Sequence, residues 1–371
     1  MRCAYTTVLK AISAAILSMA ASAAWADGIS TSLSGYGTVG GSFISDGKYA
    51  YYHSATEFTG ASNSLDIGLE SRLGVQAVVS FDPHWSITAQ EVFKLRGSSN
   101  FDPGTEWLFV QYQPDSNLKL RLGRVVLPVF LISDTLNVGY AAPWFSAPND
   151  IYYLEPFEYL DGGQALWQHS LGAFQLHLET TYGQTQAAFI AGILFSSKST
   201  FNAAVSLSWR DLLVRYAETD SSDTISIPGL MLNLHFQDKF HSLGLQYDDG
   251  KALLMSEWVK RDESIVPGLN KPLIGEIGWY GAAGWRFGKF TPLLIYSVFD
   301  ITDSLTQSPG IYRTWSASVR YDVARNLDLK LQVSRAQAAN IAYFAPNVSA
   351  DANFTPSGRV NVYSFGADFV F

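Results

Sequence analysis

Five carboxylates, Asp134, Asp150, Glu155, Glu158 and Asp161, fall in one long stretch, residues 125–161, that holds no Lys, Arg or His. Alternation elsewhere along the chain puts a set of basic residues on one strand face: Arg72, Lys94, Lys119, Arg121, Arg320 and Lys330. An acidic segment facing a basic wall across water would set up a transverse field. Such a field aligns polar solutes and disfavours apolar ones, as charged rings do in channels. Where opposite charges touch, they would instead be salt bridges that pin the segment, and both roles are expected among these residues. The stretch is longer than an ordinary connection, which marks it as functional or disordered. Leu127, Val129, Phe130, Leu131, Ile132, Trp144, Phe145, Tyr152 and Tyr153 make it too apolar for disorder. It needs a surface to pack against.

Catalytic chemistry has weaker support. The six histidines, His53, His84, His169, His177, His235 and His241, are scattered. None sits in a nucleophile context of the kind a lipid-hydrolysing Ser–His pair requires. His235 and His241 have a spacing that suits neither a helix nor a strand face for holding a metal. Asp46 and His53 could be imagined as the acid and base of a proteolytic site in outer loops. The glycines Gly35, Gly37, Gly40 and Gly41 lie along a strand and form no phosphate loop. We expect no enzyme activity and no cofactor.

The elements that must position these charges are strands. Arg2 and Lys10, an apolar run from Val8 to Ala24 and the small-x-small triplet Ala24-Trp25-Ala26 read as a secretory signal, residues 1–26. Its apolar core is short for a spanning helix, which needs about 20 residues. The remainder, residues 27–371, has 23 of the 25 Lys+Arg, because Arg2 and Lys10 leave with the signal, against 33 Asp+Glu, a formal charge of −10. That balance argues against nucleic acid as a partner. Cys3 also leaves with the signal, which excludes disulfides and thiolate chemistry from the mature chain.

Aromatics make up 14% of the residues, yet mean hydropathy is only +0.06, and no later stretch resembles a transmembrane helix. Apolar residues distributed one in two along strands reconcile these facts, which is the signature of a membrane barrel. From Leu65 to Phe81 the odd positions are almost all apolar, while the even ones include Asp66, Glu70, Arg72 and Gln76. Trp315, Ala317, Val319 and Tyr321 oppose Thr314, Ser316, Ser318, Arg320 and Asp322; Leu327, Leu329, Leu331 and Val333 oppose Asp328, Lys330, Gln332 and Ser334.

Tight turns are expected at 82–84, 114–117, 171–172, 210–211, 248–250, 288–289 and 323–326, alternating with longer segments at 45–63, 97–104, 125–161, 184–198, 221–239, 261–274, 302–310 and 336–358. Seven and eight connections imply sixteen strands, with short turns at the periplasmic end and long loops outside. Ala187–Phe195, apolar without alternation, reads as loop, and Thr291–Phe299, apolar on both faces, as strand. Phe81, Trp85, Tyr112, Trp209, Tyr247, Phe287, Phe290 and Tyr321 flank the tight turns as an interfacial girdle would. We therefore expect an all-β fold, a sixteen-stranded antiparallel transmembrane barrel in the outer membrane of a Gram-negative bacterium. Its constriction loop would be about 125–161.

Several ordered pieces strengthen this reading: Glu70-Ser71-Arg72-Leu73-Gly74, Leu120-Arg121-Leu122-Gly123-Arg124, Leu160-Asp161-Gly162-Gly163, Trp285–Pro292, Val319-Arg320-Tyr321-Asp322 and the C-terminal Val362–Phe371. In order and spacing the whole mature chain resembles the sixteen-stranded porins of proteobacteria. The resemblance implies passive diffusion of small hydrophilic solutes and ions, a homotrimer, and a third outer loop folded into the barrel. Arg72 and Arg124 match family arginines that point into the constriction. A further family arginine has no counterpart between Asp161 and Gln168. Tyr363, Phe365, Ala367, Phe369 and Phe371 share one face, and Phe371, Phe369 and Tyr363 look like the signal read by the barrel assembly machinery. Outer-membrane lipid and lipopolysaccharide are the other expected partners. A channel biased toward phosphate, sugars or organic acids is the alternative, and an outer-membrane enzyme comes last. The five loop acids and the mature charge lead to an expected mild cation preference.

Overall fold

Alternation along the chain resolves, in the computed structural model, into sixteen antiparallel strands closed as one barrel. The structure describes residues 28–46, 49–51, 60–96, 100–152, 154–155, 157–188, 193–264, 274–303, 309–339, 349–350 and 358–371. The expected signal segment and His53 lie outside them. The staves are β1 (Ser30–Ile44), β2 (Arg72–Ser80), β3 (Trp85–Arg96), β4 (Asn100–Tyr112), β5 (Leu118–Val126), β6 (Tyr159–Leu171), β7 (Phe174–Ala188) and β8 (Leu194–Trp209). They continue as β9 (Leu212–Ile227), β10 (Leu232–Asp248), β11 (Ala252–Ser264), β12 (Ile274–Trp285), β13 (Phe290–Asp303), β14 (Pro309–Ala324), β15 (Leu327–Ala339) and β16 (Gly358–Val370). Each pairs with its chain neighbours, and β16 pairs with β1. Closure leaves no row of unpaired backbone groups, which lipid would not tolerate.

Burial identifies the two faces. In β15, Leu329, Leu331 and Val333 are 46%, 60% and 47% exposed, whereas Asp328, Lys330, Gln332 and Ser334 are 0%, 1%, 4% and 5% exposed. The polar parity is the buried one. A sheet with its apolar face outward is stable only if hydrocarbon covers that face. The girdle residues sit as expected beside the tight turns, with Trp85 on Tyr112 at 4.6 Å and Phe290 on Tyr321 at 4.7 Å between ring centroids. All seven tight turns fall between strands where alternation put them.

Several boundaries differ from the sequence reading. The second strand starts at Arg72 and not at Leu65. The Asp66 carboxylate accepts from the Gly68 and Leu69 N–H groups at 2.7 and 3.1 Å, and the Ser71 hydroxyl donates to the Ile67 carbonyl. These local bonds compete with the ladder and turn the chain. Segments 184–198 and 221–239 are largely strand. The second closes through a short 3-10 turn, Pro228–Leu230, with Met231 left-handed at φ 51°. Alternation persists there, with Ser221, Asp223, Phe236 and Asp238 buried, but the outer parity is polar because those strand ends reach beyond the lipid. Ala187–Phe195 thus contributes Ala187–Ala188 to β7 and Leu194–Phe195 to β8. Thr291–Phe299 is strand as expected, and its inner face, Leu293, Ile295 and Phe299, is buried at 2–3% exposure.

The closing seam depends on two glycines. Phe371 N–H and Gly35 O, and Gly35 N–H and Phe371 O, bond reciprocally at 2.9 and 2.8 Å. The Phe371 ring lies over Gly35 and the Phe369 ring over Gly37, where a Cβ would collide with either ring. Aromatic side chains covering glycines across a strand pair pin the register.

Candidate functional site

The long segment between β5 and β6 runs from Leu127 to Glu158. Val125–Val126 and Tyr159–Asp161, expected in the loop, belong to the strands. Inward-parity residues of seven other strands hold it. Arg215 of β9 donates to the Pro128 carbonyl at 2.9 Å and Ser242 of β10 to that of Val129 at 2.5 Å. Glu257 of β11 accepts from the Leu131 N–H at 2.7 Å and the Tyr152 hydroxyl at 2.9 Å. Arg261, on the same strand, donates to Leu154 O at 2.9 Å.

Further round the wall, Ser297 of β13 and Thr314 of β14 donate to Asp150 at 2.5 and 3.2 Å. Arg320 of β14 donates to Tyr140 O at 2.6 Å, and Lys330 of β15 to Gly139 O at 2.6 Å. Gln332 accepts from the Phe145 and Ser146 N–H groups and donates to Ser146 O at 3.1–3.2 Å. Across the barrel, Lys94 of β3 reaches Glu158 at 2.7 Å and Asn137 at 3.2 Å. Backbone groups of an irregular segment are satisfied by wall side chains, as buried polar groups must be.

The charges are distributed differently from the expected opposition of loop acids and wall bases. Asp161 is a β6 residue directly opposite Arg124, and the two form a bidentate pair at 2.7 and 2.8 Å. Arg124 also lies 3.7 Å over the Tyr159 ring and donates to Thr105 O. Its guanidinium is a structural clamp, 7% exposed. Glu158 is matched by Lys94. Asp150, 2% exposed, accepts from the hydroxyls of Ser297 and Thr314. Asp134 is the exposed acid of the five.

Of the expected cations, Arg320 and Lys330 hold the segment and bridge Asp328 at 3.1 and 3.5 Å. Arg121 donates to the neutral amides of Gln111 and Gln164, at 3.0 Å each, lies 4.7 Å over Phe109, and has the Asp134 and Glu179 carboxylates nearby. Arg72 is half-buried, with its Nε free of any hydrogen-bond partner among the described residues. Lys119 is half-buried on the same inward parity as Arg121. Beside these cations runs a row of wall amides, with Gln90 donating to Gln76 at 3.0 Å and Gln164 to Glu179 at 2.7 Å. On the other side of the segment, a 350 Å³ hollow is lined by Thr135, Gln246, Asp248, Arg286, Arg320 and Asp322.

Sequence reasoning missed Arg215, Glu257, Arg261 and Gln332 as anchors. For Arg215 the signal was present, because Val214 and Tyr216 take the outward parity beside it. For Glu257 and Arg261 it was not. Their inward neighbours Leu253, Met255 and Val259 are apolar and buried under the segment, so polarity does not separate the faces.

Glu155 lies in the segment, and burial pushes its carboxyl up to about 8 despite the nearby Arg261 guanidinium. A raised carboxyl means that the docked segment keeps a proton that a released one gives up above pH 4.5. Docking is therefore strongest at low pH and weakens as pH rises from 4.5 to about 8. Protease cleavage within residues 127–158 should be faster at pH 9 than at pH 5. Glu155→Gln should flatten that dependence and leave the barrel intact. A cleavage ratio unchanged by the substitution would assign the dependence to other groups.

Two comparisons bear on this arrangement. The profile of the Gram-negative porin family matches residues 12–369. Solved barrels superpose over most of the chain. In-vitro folded OmpT, an outer membrane protein of Vibrio cholerae in its trimer form, has 15% identity and a TM-score of 0.58, covering 93% of this chain and 100% of its own. The anion-selective porin from Comamonas acidovorans has 14% identity and a TM-score of 0.60, covering 92% and 100%. The outer membrane channel DcaP of Acinetobacter baumannii has 11% identity and a TM-score of 0.60, covering 93% and 98%. No curated protein sequence matches.

Proposed function

The chain belongs to the Gram-negative porin family, an outer-membrane β-barrel channel, and on that premise we propose that it passes small hydrophilic solutes by diffusion with a preference for anions. In this reading segment 127–158 lies across the lumen and narrows it, and solutes pass between the segment and the wall of β2–β7. The observation that carries the anion preference is the pairing of charges. Glu158 and Asp161 are neutralised by Lys94 and Arg124, while Arg72, Lys119 and Arg121 form no ion pair among the described residues. This revises the cation preference drawn from net charge, which counts acids without asking whether they touch a base. An anion-selective porin is among the similar structures. The amide row Gln76, Gln90, Gln111 and Gln164 supports a bias toward hydroxylated or carboxylated solutes as a second reading. Neither reading gives the protein a catalytic role.

We assign the outer aromatic face of β16, with Tyr363, Phe369 and Phe371, to recognition by the assembly machinery, and the oligomer to a homotrimer like that of the related barrel. Added to a planar bilayer, the folded protein should give stepwise ohmic currents. A tenfold KCl gradient should give a zero-current potential of the sign for anions. Folded protein that inserts without current steps would overturn the channel reading, and a cation-signed potential would overturn the selectivity alone.

A further inference from the structure

The hollow beneath the long segment is a space of its own, set apart from the β2–β7 wall. It measures 350 Å³, at the small end of the range for single-ligand pockets, about 300–1,000 Å³. The segment bounds it on one side and β10–β14 on the other. Asp248 is the last residue of β10, Arg286 follows β12, and Asp322 lies just before the end of β14. All three border tight turns, so the mouth opens at the short-turn end. Arg320 donates to the Tyr140 and Ala142 carbonyls at 2.6 and 3.3 Å, and the Tyr140 hydroxyl donates to Arg325 O at 2.6 Å. The segment is thus strapped down at the rim of the hollow.

The interior is apolar. Ile132, Ala142 and Pro143 line it from the segment, over Leu253 and Met255 of β11. An apolar group that displaces water from such a surface gains roughly in proportion to the area it covers. The mouth, by contrast, carries both signs of charge. Arg286 donates to Asp248 through its two Nη atoms at 2.5 and 2.8 Å, and makes no bond through Nε among the described residues. Arg320 donates through Nε to Asp322 Oδ1 at 2.7 Å, which leaves Oδ2 without a donor among the described residues. The Gln246 side chain has no hydrogen-bond partner among them either. Asp328, behind Arg320 at 3.1 Å, is also paired with Lys330.

The two rim pairs carry no net charge, so an ion of either sign gains little from the mouth as a whole. A molecule with one charge of each sign uses the open guanidinium edge and the open carboxylate oxygen together. We propose that the hollow binds an α-amino acid zwitterion with an apolar side chain. Its carboxylate lies on the Nε edge of Arg286 and its ammonium on Asp322 Oδ2 and the Gln246 amide oxygen. Its side chain rests on Ile132, Pro143, Leu253 and Met255. Guanidinium edges match carboxylate geometry, and bonds between ionised groups are the strong ones. Because the ligand touches segment and wall at once, it braces the segment from below.

The test uses the folded protein purified from outer membranes in mild detergent, with L-leucine as the probe and saturation-transfer NMR as the readout. The leucine methyl response should saturate with concentration. Isoamylamine lacks the carboxylate and isocaproate lacks the ammonium, so each should bind at least about tenfold more weakly. Thr135→Trp fills the hollow from an exposed position without touching a charge, and should abolish the response. Arg286→Gln should weaken it by about tenfold or more. Unchanged heat-modifiability on gels would show that both variants are folded. At about ten times its dissociation constant, leucine should slow protease cleavage within residues 127–158 by about tenfold, and in the parent only. None of these readouts depends on conduction. A parent without a saturable response, or one matched by Thr135→Trp, would overturn the proposal. So would the amine or the carboxylate binding as tightly as leucine, which would make the hollow a site for one sign of ion. Leucine binding that leaves the cleavage rate unchanged would place the ligand away from the segment and overturn it as well.

Discussion

Lys330→Met should lower the temperature at which the folded barrel converts to its unfolded gel mobility, and should make single-channel currents noisy. Lys330 is 1% exposed and ties three parts of the molecule together. Its Nζ lies 2.9 Å from Asp368 of β16, 3.5 Å from Asp328 of its own strand and 2.6 Å from the Gly139 carbonyl of the long segment. Asp368 in turn accepts the Thr38 hydroxyl of β1 at 2.5 Å, so the same carboxylate sits at the closing seam. A buried pair contributes little relative to a well-packed apolar replacement of both partners. Removing one partner alone costs about 3–5 kcal/mol, because the other charge is stranded. Asp328 retains Arg320 at 3.1 Å, but Asp368 would retain only hydroxyl and water. The double substitution Lys330→Met/Asp368→Asn should therefore recover most of the loss in melting temperature. It should not recover the quiet current, since the Gly139 carbonyl still lacks its donor. Lys330→Met melting with the parent would show that the lysine is dispensable for closure.

Charge removal at Arg72, Lys119 and Arg121 should reverse the ion preference. In water two unit charges at 4 Å interact by about 1 kcal/mol, so each neutralised cation should change the anion-to-cation permeability ratio by about fivefold at low salt. Arg72→Gln, Lys119→Gln and Arg121→Gln combined should move the zero-current potential from the anion to the cation side, because carboxylates, Asp134 and Glu179 among them, then remain beside that wall. Asp134→Asn should deepen the anion preference. Both shifts should shrink between 0.1 and 1 M salt as the Debye length falls from about 10 to about 3 Å. By contrast, Glu158→Gln should alter the preference toward anions chiefly by releasing Lys94, its partner at 2.7 Å. A triple variant with the parental reversal potential at 0.1 M would place the solute path away from this wall.

The sequence by itself determined the class of fold, the number of staves and which face of each is wet. Those properties follow from period-two alternation and from turn chemistry, both local: Leu329, Leu331 and Val333 can only be outside if Asp328, Lys330 and Gln332 are inside. It also marked the long acidic, apolar segment as a part that needs a wall. Tertiary structure alone decided what each charge does. Arg124 and Asp161 are 37 residues apart, and only the β5–β6 register sets them opposite one another as a neutral clamp. Glu257 and Arg261 became anchors because the segment crosses β11, in a strand where inward apolar neighbours conceal the parity. Extended strands at 184–198 and 221–239 were hidden for the opposite reason. Beyond the lipid nothing demands an apolar outer face, so the hydrophobic signal stops where the bilayer does while the hydrogen-bonded ladder continues.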